Sequence, residues 1–102
     1  MKIDIASEFS VTPAGRFYSD GPDSGERFRE EFLVPALRSP EPITIKIDGT
    51  AGYGSSFLEE AFGGLVRGGF DKGELIKRLN IVYDDDEFDV YKELIFTFIK
   101  EA

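Results

Sequence analysis

Apolar and polar positions alternate in three places along the chain. Ile3 and Ile5 fall on one side and Lys2 and Asp4 on the other, which predicts a strand over residues 2–9. Ile43, Ile45 and Ile47 share a face in the run 42–48, where β-branched residues dominate. Leu79 to Tyr83, with Ile81 and Val82 inside it, is a third strand. The loop of residues 10–25 is rich in Pro and Gly. Within it, Arg16-Phe17-Tyr18 reads as a short strand pairing back onto the first.

Between these runs the apolar period changes to that of a helix. Phe28, Phe32 and Leu33 mark a first helix behind Asp23-Ser24-Gly25-Glu26, which has capping-box spacing. Pro35 removes a backbone donor, so this helix either ends near Val34 or runs on, kinked, to Leu37. Leu58, Ala61, Phe62, Leu65 and Val66 form the stripe of a second helix, opened by Ser55-Ser56 and closed by Gly68-Gly69. The spacing of Ser56-Phe57-Leu58-Glu59 assigns the N-cap to Ser56. Gly63-Gly64 inside the stripe implies close packing against a strand or another chain. Asp71 to Arg78 is a short helix. Asp84-Asp85-Asp86-Glu87 opens the last one, whose apolar side is Phe88, Tyr91, Leu94, Ile95, Phe98 and Ile99. Strands alternating with helices predict one α/β domain over residues 1–102, a four-stranded mixed sheet with its helices mostly on one face.

Composition narrows the chemistry. The 102 residues are 41% apolar with ten Phe, enough for a core that needs no disulfide or metal. There is no Cys and no His, which excludes thiolate sites, Cys nucleophiles and a Ser-His-Asp triad. A net charge of −8 repels the phosphate backbone and argues against nucleic acid as a partner. No apolar run approaches the ~20 residues of a membrane span, and Met1-Lys2-Ile3-Asp4-Ile5 is unlike a signal peptide. The expectation is a soluble, cytoplasmic protein.

The stretch Asp48 to Ser56 follows the carboxyl end of a strand and enters a helix, where open α/β sheets place ligands. Asp48, Gly49, Thr50, Gly52, Tyr53, Gly54 and Phe57 are the candidate ligand or partner loop. No Lys follows the last Gly, so it is not a P-loop. Ser55, just outside a Ser56 N-cap, is the candidate phosphoacceptor, with Ser56 as its substitute. A phosphate there would meet the helix N-terminus. Arg16 and Arg27 are the candidate anion clamp. Asp84 to Glu87 lacks the spacing and Gly of an EF-hand, so no metal site is assigned. Glu30-Glu31 and Glu59-Glu60 are adjacent on helices and point about 100° apart, so neither pair is expected to converge on one site. No cofactor and no catalytic set is expected.

A strand ending in Asp, a loop and a Ser pair opening a striped helix resembles the STAS domain (sulfate transporter and anti-sigma factor antagonist). Gly54-Ser55-Ser56-Phe57-Leu58 falls on its Asp-Ser-Ser-Gly-Leu, with Gly54 in place of the Asp and Phe57 in place of the Gly. Gly15-Arg16-Phe17, Ser24-Gly25-Glu26-Arg27-Phe28-Arg29 and Phe57-Leu58-Glu59-Glu60-Ala61-Phe62-Gly63 are similar to a bacterial branch, the STAS-like domains of unknown function. The resemblance implies a Ser phosphorylated by a histidine-kinase-type ATPase partner, a position that falls on Ser55. The expected function is thus a non-enzymatic regulatory protein–protein interaction module. Two rivals are a ligand or nucleotide sensor built on the Gly-rich loop, and a homodimer packed through Phe62 and Gly63-Gly64.

Overall fold

A computed structural model describes all residues, Met1–Ala102. The chain runs β1 (Lys2–Asp4), α1 (Ile5–Glu8), α2 (25–37), β2 (Ile43–Lys46), α3 (55–67), α4 (Lys72–Arg78), β3 (Leu79–Val82) and α5 (Asp89–Glu101). Short 3-10 turns stand at Tyr18–Asp20 and Asp86–Phe88.

The sheet has three strands, not four, in the order β1-β2-β3, and it is parallel throughout. Arg16-Phe17-Tyr18 is no strand because side chains take the donors that a sheet would use. The Asp20 carboxylate accepts the N–H groups of Arg16 and Phe17 at 3.1 and 2.8 Å, and Glu26 accepts that of Tyr18 at 2.9 Å. β1 is also shorter than its alternation predicts. Glu8 reaches back to accept the Asp4 N–H at 2.7 Å, and residues 5–8 close into a helical turn.

Ile3, Ile45 and Ile81 lie in register across the three strands. With Ile43 and Leu79 they are buried, while Lys2 and Asn80 on the opposite face are exposed. Only one face of the sheet is therefore covered, and the helices cover it. Parallel neighbours require crossovers, and α2 supplies the first while α3 and α4 supply the second.

Helix α2 does run through Pro35 to Leu37. Residues Arg29–Leu33 form a π turn, in which the Val34 N–H reaches back to the Arg29 carbonyl. The widened turn sits directly before the proline, which has no N–H to continue the ladder. Helix α3 has its own π turn at Glu59–Gly63. The two helices meet closely at Gly25: a Cβ there would lie 2.4 Å from the Phe57 carbonyl oxygen. Gly64 serves this same interface, making room for the Arg29 side chain of α2, while Gly63 makes room for Glu59 of its own helix. Both glycines and Phe62 are buried within the chain, so they offer no surface to a second copy. Arg78, at the end of α4, donates to the carbonyls of Leu37, Ser39 and Glu41 and fastens the turn between α2 and β2.

Candidate functional site

Residues 47–57 sit at the carboxyl end of β2, and their anchors come first. Asp48 is buried. Its Oδ1 accepts from Lys46 Nζ at 2.6 Å, and its Oδ2 accepts the N–H groups of Asp84 and Asp85 at 2.7 and 3.1 Å. These contacts hold its pKa at about 2, the bond to the Lys46 ammonium contributing most and the two N–H groups adding less, against the opposing effect of burial. Asp48 is thus a staple between the segments that follow β2 and β3, with both oxygens occupied.

Tyr53 and Phe57 are the second anchor. The Tyr53 hydroxyl is buried and donates to the Ile47 carbonyl at 2.7 Å, and burial drives its pKa upward. Its ring packs 5.6 Å from that of Phe57, which is fully buried, and 5.2 Å from that of Tyr91. Phe57 thus belongs to the core. It is not available to a partner, because the buried face of α3 begins one residue earlier than the spacing from Leu58 implies.

Between the anchors the loop turns on Gly49 and Gly52, at φ +86° and +101°. A Cβ on Gly52 would also lie 2.6 Å from the Tyr91 hydroxyl oxygen. Thr50 Oγ1 accepts the Gly52 N–H at 3.2 Å. The glycines make the turn. The shallow cleft beside them, about 250 Å³, is lined by Thr50, Gly52, Asp85, Glu87, Phe88 and Tyr91. It contributes two carboxylates and no cation, which disfavours a nucleotide phosphate. Asp85 accepts the Glu87 N–H at 3.0 Å, so the acidic run caps the 3-10 turn before α5.

The N-cap of α3 is Gly54, not Ser56, and no side chain caps this helix. Gly54 takes the extended conformation of a cap, φ −76° and ψ 152°, and its carbonyl accepts the Leu58 N–H at 3.3 Å. Ser55 and Ser56 are therefore the first two helical residues. Both are exposed, and neither hydroxyl has a hydrogen-bond partner. A rigid, core-anchored loop thus presents two free hydroxyls beside unpaired helix N–H groups.

Neither candidate clamp is free. Arg16 donates to Glu59 at 2.6 Å and to Glu60 at 3.2 Å. Its pKa is raised, chiefly by the bond to Glu59. Arg27 lies 4.9 Å from the Phe9 ring centroid and pairs with Asp23 and Glu31. The spacing did not reveal a larger ionic cluster, in which Arg16, Arg29 and Arg67 converge on Glu59 and Glu60. Arg29 Nη1 is 2.6 Å from Glu60 Oε2, and Arg67 Nη1 is 2.6 Å from Glu59 Oε2. The Glu59 pKa is lowered, first by Arg67 and then by Arg16. The sequence signal for this cluster was the pair Glu59-Glu60 itself, four residues from Gly63-Gly64.

The family model for the STAS-like domain of unknown function (DUF4325) matches residues 24–88. The chain belongs to this family. The match runs from the Ser24 N-cap of α2, through β2 and the Ser55 loop, to Phe88 before α5. No curated protein and no solved structure matches the chain. No helix of this STAS-like domain is long and apolar enough to cross a membrane.

Proposed function

We propose that this STAS-like domain is a non-enzymatic regulatory protein–protein interaction module, switched by phosphorylation at Ser55. The observation that carries the reading is the free Ser55 hydroxyl at the first position of α3, on a loop held in place by Tyr53 and Phe57. A phosphate there adds roughly −1.5 to −2 charges and three acceptor oxygens. The unpaired N–H groups of the first turn and the helix dipole stabilise it. Glu59 lies one turn along the helix and is already committed to Arg16 and Arg67, so the added charge stays at the surface. The fold need not move, because the modification changes only the potential of a preformed surface. By its relation to antagonist STAS domains, the partner is a histidine-kinase-type ATPase, in the cytoplasm.

The test is a parallel capture of that ATPase by wild type, Ser55→Ala and Ser55→Asp. Capture by wild type and Ser55→Ala, lost with Ser55→Asp, supports the switch. Equal capture by all three removes Ser55 as the switch and leaves the interaction module. Phosphopeptide mapping after incubation with the ATPase and ATP then distinguishes Ser55 from Ser56.

A further inference from the structure

The loop before α2 carries a surface that the Ser55 switch does not use. Phe17 and Tyr18 are adjacent and stand 46% and 47% exposed, which is unusual for two large aromatic rings on one rigid loop. The loop is not slack. Asp20 takes the backbone N–H groups of Arg16 and Phe17, and Glu26 takes that of Tyr18. The Tyr18 hydroxyl donates to Glu31 at 3.0 Å. Hydrogen bonds thus fix the backbone under these half-exposed rings, within the loop through Asp20 and to α2 through Glu26, and Glu31 ties the Tyr18 hydroxyl to α2.

The surroundings of these rings are acidic. Glu26, Glu30 and Glu31 all act on the Tyr18 phenol and, with burial first among the causes, raise its pKa. Asp20 lies on the same turn. The neighbouring cations pair with part of the patch, Arg29 Nε with Glu30 at 3.2 Å and Arg27 Nε with Glu31 at 3.3 Å, but none of them stands free beside the rings. Arg29 is turned inward to Glu60, with its side chain only 13% exposed, and touches Glu30 through Nε alone. Arg27 is spread over Phe9 and shared between Asp23 and Glu31. Arg16 is held by Glu59 and Glu60. The patch thus presents aromatic faces with carboxylates around them and no free cation.

We propose that Phe17 and Tyr18, with Asp20, Glu26, Glu30 and Glu31, form the docking surface for a basic segment of a partner protein. An Arg or Lys of that segment seats on an aromatic face and its neighbours pair with the carboxylates. Charge complementarity selects this occupant: a cation over an aromatic ring gains from the ring quadrupole, and the surrounding acids steer it there. An acidic segment or an anionic membrane would be repelled by the same groups. The inference rests on reading the domain as an interaction module, but it assigns that role to a second surface with its own partner chemistry.

The test is titration of the ¹⁵N-labelled protein with a nona-arginine peptide, with nona-glutamate as the control, followed by amide shifts and peptide anisotropy. The shifts are expected to concentrate in residues 15–31. Phe17→Ser/Tyr18→Ser and Glu30→Lys/Glu31→Lys should each weaken binding about tenfold, as loss of cation–π and of charge pairing implies. Asp86→Lys/Glu87→Lys makes the same charge change on the far acidic run and should alter affinity less than about twofold. Circular dichroism verifies that each variant folds. Unchanged affinity without the aromatics overturns the proposal, as does equal weakening by the distal pair. The titration contains no ATPase and no phosphate, so its failure leaves the Ser55 reading intact, and failure of the Ser55 switch leaves this surface intact.

Discussion

The Asp48 carboxylate accepts the Asp84 N–H at 2.7 Å, and through that bond the ends of β2 and β3 become one edge. Asp48 is depressed from an ordinary 3.8 to about 2 by Lys46 and by the two N–H groups. Because the folded pKa is the lower one, the stabilisation is fully present above the unfolded value. It is lost as the pH falls from about 4 through about 2. Asp48→Ala should cost about 2 kcal/mol near neutrality, the scale of hydrogen bonds to a charged group, reduced by solvent around Lys46. Urea unfolding of wild type and variant between pH 7 and pH 2 should show the gap closing below pH 4. A gap that stays constant with pH would show that Asp48 does not act through its charge.

Gly25 and Gly64 line one helix–helix interface, yet their alanine variants should differ. A Cβ on Gly25 meets the Phe57 carbonyl oxygen at 2.4 Å and the Ala61 nitrogen at 3.2 Å, both backbone atoms of α3. Neither helix can yield without moving as a body, so Gly25→Ala should destabilise by about 3 kcal/mol, the upper range for overpacking. A Cβ on Gly64 meets Arg29 Nη1, the far end of a flexible side chain. Gly64→Ala therefore displaces Arg29, and the gain in helix propensity offsets part of the loss of its bond to Glu60. Thermal unfolding should rank Gly25→Ala well below Gly64→Ala.

What the sequence revealed and what it hid divide along physical lines. The Ile43-Ile45-Ile47 run and the Leu58 to Val66 stripe repeat over many residues, and β2 and α3 stand where their periods put them. Arg16-Phe17-Tyr18 has strand-like residues, but its N–H groups are taken by Asp20 and Glu26, and residue type alone cannot show that competition. The N-cap went to Gly54 because the extended backbone of Gly54 ends the loop two residues before the Ser56–Glu59 spacing would. At the candidate site, the exposure of Ser55 follows from the stripe. The burial of Phe57, and the capture of Arg16 by Glu59 and Glu60 up to 44 residues away, do not, because they depend on how α2 and the loop before it pack on α3, whereas the partners of Arg27, Asp23 and Glu31, stand only four residues to either side.

Arg29 and Glu60 form the most enclosed ion pair in the molecule, 13% and 10% exposed, and Arg29 also donates to the Glu60 carbonyl at 2.5 Å. Glu60→Ala leaves Arg29 enclosed without its carboxylate and should cost about 3 kcal/mol, the lower end for breaking a buried pair. Arg29→Ala should cost less, since Glu60 retains Arg16 at 3.2 Å. A double-mutant cycle should return a coupling of about 1–2 kcal/mol. Zero coupling would mean that the two helices are held by packing alone.

The last prediction concerns the uncapped start of α3. Gly54 has cap geometry but no side chain to accept an N–H, and a Cβ there would meet nothing within 4 Å. Gly54→Asp should therefore fit without strain, accept an N–H of the first turn and complement the helix dipole. The gain should be a few tenths to about 1 kcal/mol, since glycine is already a tolerable cap. The same carboxylate stands beside Ser55, so it should also oppose a second negative charge there. Two measurements on one variant separate these effects. Denaturant unfolding should show higher stability, and, under the proposed switch, phosphorylation of Ser55 by the proposed ATPase partner should slow relative to wild type. Stabilisation with an unchanged phosphorylation rate would confine the role of residue 54 to the helix.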